Sequence, residues 1–142
     1  MDIYHKVNKD LILQKRNHGK HGFSFLLRKE KNMYQQNGNI LIIYVPKELD
    51  HHKAEEIKKE TLHIFQKATV RYVVFDFKKT EFMDSSGIGM LMGRYRQVNL
   101  IGGKVFVTGV REEISRILML SGIYRIVKQY ETLEEALEDL SR

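Results

Sequence analysis

A serine hydroxyl does chemistry only where something activates or presents it, and this chain collects its best candidates in Phe82-Met83-Asp84-Ser85-Ser86-Gly87-Ile88-Gly89. Three chemistries compete for this stretch. Acyl transfer would want a Gly-x-Ser-x-Gly elbow, but Met83 stands two places before Ser85 and Asp84 two before Ser86. A hydrolase would also want a histidine, and all six (His5, His18, His21, His51, His52, His63) precede the loop. A phosphate cradle would need Gly-Lys-Ser/Thr after the glycines, which is missing. The third chemistry is modification. Asp84, Ser85 and Ser86 all suit a helix N-cap, where amide N–H groups and the positive dipole end would tolerate a phosphate on serine. The plain alternative is that one of them merely caps the helix. One cap suffices, however, and Gly87 and Gly89 each cost a helix up to about 1 kcal/mol. A purely structural loop has no use for that loss. An open first turn that another protein's backbone can approach does.

Such a loop needs a scaffold. The apolar run Tyr72–Phe77 predicts a strand before it. Ile88, Leu91, Met92 and Tyr95 predict the inward face of a helix after it, ending near Asn99. Upstream, Ile40–Val45 reads as a strand stopped by Pro46, and Asp50 as the N-cap of a helix carrying Ala54, Ile57, Thr61, Ile64, Phe65 and Ala68 inward. Downstream come a strand at Lys104–Thr108 and a short helix Glu112–Ser121 with Ile114, Ile117 and Leu118 inward and Gly122 as its C-cap. A brief strand Arg125-Ile126-Val127 follows. Thr132-Leu133-Glu134-Glu135 is a capping box opening a last helix, with Leu133, Ala136, Leu137 and Leu140 on one face. The alternation predicts an α/β fold: a mixed, mostly parallel sheet of about four to five strands with about four helices and right-handed crossovers. Asp50 and Ser85 then share the rim at the carboxyl ends of the strands, where sites gather.

At 142 residues and 42% apolar content the chain supports one core. Cysteine is absent, which excludes disulfides and thiolate metal sites. Adjacent His51 and His52 diverge by about 100° on a helix and do not converge on a metal. The net charge of +6 sits mostly in residues 1–33, where eight Lys/Arg face three acids; the rest has sixteen bases and fifteen acids. A near-neutral body argues against a nucleic-acid surface. The leader holds two apolar patches, Leu11–Leu13 and Phe23–Leu27, around a turn at residues 17–22. It admits three readings: a weak hairpin, a disordered arm, or an addition ahead of a start at Met33. Residues 1–36 are assigned as a basic extension and 37–142 as the domain. With no signal peptide and no run of membrane-spanning length, a cytoplasmic protein is expected. Met90, Met119 and Leu120 fall off the assigned inward faces, and Met90 is either a core plug or an apolar contact beside Ser85.

From Ile40 onward the chain resembles the STAS domain of bacterial anti-sigma factor antagonists, of the stage II sporulation protein AA type. The residues that carry the likeness are Glu48-Leu49-Asp50-His51-His52 with Ala54 and Glu55, the Phe82–Gly89 loop, Gly93-Arg94-Tyr95 with Gln97, Ile101-Gly102-Gly103, and Ser121-Gly122-Ile123. The resemblance implies a non-enzymatic, cofactor-free and metal-free switch. Unphosphorylated, such a protein binds an ATP-dependent anti-sigma factor serine kinase and releases its sigma factor; the kinase phosphorylates the serine after the motif's Asp, here Ser85, and ends the complex. A PP2C-type phosphatase restores it. Asp50, Asp84, Ser86, Gly87, Ile88, Gly89 and Met90 are the expected partner contacts, with no nucleic acid or membrane involved. The alternative is a STAS module of another partner-switching pathway, in stress response or phosphatase regulation. Pro46-Lys47 departs from the family, which often has Gly before Glu-Leu-Asp, and the leader has no counterpart. On the residues alone, phosphorylation adds about −1.5 to −2 charge. The free amides of the Ser86–Gly89 turn are expected to hold it without refolding.

Overall fold

The computed structural model describes residues 33–67 and 69–141. Ala68, the leader's two apolar patches and its turn lie outside them. Among the described residues seven strands and four helices follow in order: β1 (Tyr34–Asn37), β2 (Ile40–Tyr44), β3 (Glu48–Leu49), α1 (His51–Gln66), β4 (Tyr72–Asp76), β5 (Phe82–Met83), α2 (Ser85–Asn99), β6 (Lys104–Thr108), α3 (Glu112–Ser121), a 3-10 turn (Ile123–Arg125), β7 (Val127–Tyr130) and α4 (Leu133–Leu140). The main sheet runs β1-β2-β4-β6-β7, with β1 antiparallel to β2 and every other pair parallel. Its first strand begins at Tyr34, within the stretch assigned to the extension.

Strand periodicity explains the layers. Leu41, Ile43, Val73, Phe75, Val105 and Val107 point to one face and pack with Ala54 and Ile57 of α1, Met90 and Leu91 of α2, and Ile114 and Leu118 of α3. Ile40, Ile42, Val74 and Phe106 point to the other and meet Ala136 and Leu137 of α4. Strands covered on both faces read as unbroken apolar runs, which is why Ile40–Ile43 shows no alternation.

The caps form as the sequence predicts at three places. Asp50 accepts from the Lys53 amide at 2.9 Å, Thr132 from the Glu135 amide at 3.1 Å, and Gly122 closes α3 at φ 76° in the left-handed region. Two expectations need correction. Arg125-Ile126-Val127 is not a strand: the chain makes a 3-10 turn through Arg125 and the strand starts at Val127. The inward face of α2 holds in part: Leu91 is buried and Ile88, Met92 and Tyr95 pack half-buried against the core, but the fully buried stripe is Gly87, Met90, Leu91, Arg94 and Val98. The helix is therefore rotated from the face its apolar residues mark, because a glycine and an arginine occupy core positions.

Candidate functional site

The site is assembled by a second sheet of two short strands. β3 and β5 pair in parallel, Glu48 opposite Phe82 and Leu49 opposite Met83. The Asp84 amide donates to the Leu49 carbonyl at 3.1 Å, and the amides of Glu81 and Phe82 both donate to the Lys47 carbonyl. Thr80, fully buried, donates its hydroxyl to the Val45 carbonyl at 3.2 Å and pins the approach to β5. The paired strands end together, so Asp50 and Asp84 stand at equivalent places and each starts a helix. Two segments 34 positions apart in sequence thus deliver two N-caps to one rim.

At α2 the structure chooses among the three cap candidates. Asp84 is the cap, accepting from the Ser86 amide at 2.8 Å. Ser85 is the first helical residue, exposed, with no hydrogen-bond partner for its hydroxyl among the described residues. Ser86 is half-buried. This arrangement revises the expected phosphate cradle: the Ser86 amide is taken by the Asp84 carboxylate and the Gly87 amide by the Asp84 carbonyl at 3.1 Å. The dipole end already holds a carboxylate, so a phosphate on Ser85 would meet Asp84 and find the Ser86 and Gly87 amides taken.

The two glycines differ. A Cβ on Gly87 would come within 2.4 Å of the Met83 sulfur and 2.9 Å of Leu49 Cδ2, so this glycine lets α2 seat on β3 and β5. A Cβ on Gly89 would meet nothing within 4 Å, and its face is open. Only Gly89 fits the expected bare approach; Gly87 is buried. Met90, the candidate contact, is 0% exposed and lies in the core, so its side chain cannot touch a partner. Its i+3 spacing from Gly87 places it on the buried stripe. Ile88 keeps partial exposure beside Ser85.

Two residues given no role from sequence belong to the site's architecture. Phe82, opposite Glu48 and two places before Asp84, is 51% exposed. Arg94 is 6% exposed, and burial pulls its guanidinium below the ordinary arginine value. It donates to Gln97, reaches the Lys58 carbonyl of α1 at 3.4 Å and lies 4.5 Å over the Phe65 ring. The contacts fasten α1 to α2, the two helices whose starts form the rim. Motif position flagged Arg94; only packing gives it this function. Among the described residues no cluster of three metal-ligating side chains occurs, and no helix is long and apolar enough to cross a membrane.

This architecture, a mostly parallel sheet with a capped serine loop at its carboxyl rim, defines a small class of α/β domains. Residues 31–136 match the STAS domain family, and the chain belongs to it. An anti-sigma F factor antagonist of Paenibacillus polymyxa is 32% identical over 106 residues, spanning 75% of this chain and 91% of that protein. The anti-sigma factor antagonist SpoIIAA in its unphosphorylated form superposes with a TM-score of 0.69 at 25% identity, covering 75% of this chain and 93% of its own. The Bacillus cell fate determinant SpoIIAA in its phosphorylated form gives 0.63 at 25% identity, covering 75% and 96%.

Proposed function

We propose that this STAS domain is an anti-sigma factor antagonist acting in the cytoplasm. Its unphosphorylated form binds an anti-sigma factor serine kinase and releases the sigma factor, and phosphorylation of Ser85 switches binding off. The observation that carries the reading is the exposed, unbonded hydroxyl of Ser85 at the first position of α2, on the rim that holds the carboxylates of Asp84 and the in-register Asp50. The names of the similar antagonists support sigma-factor control, and we place that control in sporulation. A PP2C-type phosphatase would reset the switch.

The switch works through the interface. A phosphate adds about −1.5 to −2 charge beside Asp84, in a spot where the Ser86 and Gly87 amides are already occupied. A partner complementary to the unmodified rim then faces added negative charge and bulk next to the open Gly89 face. Because Ser85 points outward and supports no packing, the sheet and helices stay as they are. Asp50 is a cap in the first instance, and its remaining oxygen is available to a partner.

The test is reconstitution with an anti-sigma kinase, its sigma factor and ATP. The wild-type chain frees sigma and then dissociates as it gains one phosphate; Ser85→Ala frees sigma and stays bound. A chain that never displaces sigma, while Ser85 is phosphorylated normally, overturns antagonism and leaves a STAS switch serving another pathway. Ester or nucleotide turnover lost in Ser85→Ala overturns the non-enzymatic reading.

A further inference from the structure

The end of the sheet remote from Ser85 carries its own unassigned feature. The turn at residues 100–103 leads from α2 into β6, and the 3-10 turn leads from α3 into β7, next to β6 with Val105 paired to Val127. Between these turns lies a cleft of about 350 Å³ whose walls include Tyr95, Asn99, Lys104, Arg125 and Lys128. No Asp or Glu lines it, and none occurs anywhere from Ser85 to Arg111. Arg71 joins from the side: its Nη2 lies 3.5 Å from where a Cβ on Gly102 would sit.

Among the described residues, one of the three cations lining the cleft is paired with an acid. Lys128 is partly engaged, 3.7 Å from Asp139 and 5.1 Å over the Tyr130 ring. Neither Lys104 nor Arg125 has a carboxylate at ion-pair distance among the described residues. The carboxyl end of α2 contributes about half a negative charge, which one cation offsets. A surplus of positive charge remains around a concave, partly apolar hollow, in a body whose bases and acids otherwise nearly balance.

The geometry points to a phosphate-binding cleft between these two turns, in which Arg125 and Lys104 hold a phosphate mono- or diester and Lys128 closes the rim. The guanidinium offers a planar fork to two oxygens and the ammonium a mobile point charge. Tyr95 and Asn99 supply neutral polar groups on the α2 side. The phosphate has two sources: a free phosphorylated small molecule, or the headgroup of an anionic lipid. Leu100 at 86% exposure and Leu120 at 90%, on the segments feeding the two turns, are the residues a lipid source would use. The cleft sits at the opposite end of α2 from Ser85, about 20 Å away along a helix of this length. Ligand there leaves the serine rim open.

The experiment is an amide NMR titration of the full chain with glycerol 1-phosphate and with inorganic phosphate, against sodium chloride at matched ionic strength, plus sedimentation with vesicles. Shifts centred on Gly103, Lys104, Arg125 and Lys128, with affinity reduced at least tenfold in the double variant Lys104→Gln/Arg125→Gln, are expected. Binding to the free phosphates without vesicle sedimentation supports a soluble ligand. Sedimentation with phosphatidylglycerol vesicles but not phosphatidylcholine vesicles, lost in the double variant and in Leu100→Ser, supports a lipid headgroup. Shifts reproduced by chloride, or binding by neither source, overturn the site. An unchanged circular dichroism spectrum and thermal midpoint in the double variant show that the fold is intact.

Discussion

Two helices begin side by side on this domain, each capped by an aspartate and each preceded by a strand of the same two-residue pair. After Asp50 come His51, His52 and Lys53; after Asp84 come Ser85, Ser86 and Gly87. The shared cap is architecture, and the difference lies in the first turn's display. The α1 start shows long, partly cationic side chains. The α2 start shows a hydroxyl and, at Gly89, bare backbone, the combination a kinase active site or a partner's backbone can approach. A cap alone is therefore no evidence of function. In the proposed switch, the side chains of the first helical turn carry the distinction.

The sharpest way to break this contrast is at Gly87. Gly87→Val should cost about 1–3 kcal/mol, because a branched side chain would force Met83 and Leu49 apart beneath α2. Chemical denaturation measures it, and an unchanged midpoint would remove the packing account of this glycine. Next come the caps. Asp50→Ala and Asp84→Ala should each lose about 0.5–2 kcal/mol by loss of the amide contact, and by similar amounts if the two starts are built alike. Only Asp84→Ala should also alter the phosphorylation rate of Ser85.

Gly89→Ala is the opposite of Gly87→Val. With open space at its Cβ it should stabilise the helix by about 0.5–1 kcal/mol while weakening partner binding, a split read by thermal melts and by pull-down. The smallest effect belongs to Asp76 behind the rim, whose carboxyl is raised above the usual range by burial, against hydrogen bonds from Thr108 and the Lys78 amide. A native state that holds its proton more tightly than the unfolded chain loses stability as pH rises from the unfolded value through the folded one. Asp76→Asn should flatten stability across that acidic window, and a steeper dependence would contradict the burial argument.

Much of this was legible in the residues. Asp50, Thr132 and Gly122 announce helix ends by local chemistry, and local chemistry survives folding. The β2, β4 and β6 runs are apolar enough to need both faces covered. The features that escaped depend on distant partners. β3 and β5 are too short for alternation to mark, yet they align the two helix starts. The true buried face of α2 contains Gly87 and Arg94, which a hydrophobic pattern counts as surface; Gly87 is buried by Met83 and Leu49, and Arg94 by Phe65 and a carbonyl of α1. Met90 goes with that rotation into the core. The polar strand Tyr34–Asn37 forms because β2 offers it an edge, not because its own residues ask for one.

Phosphosite mapping after incubation with an anti-sigma kinase and ATP, with circular dichroism and complex formation followed on the same sample, addresses the account most directly. A single phosphate on Ser85, loss of the complex and an unchanged spectrum are the predicted result. Phosphate on Ser86 instead, or a phosphorylated Ser85 that leaves the complex intact, would contradict it.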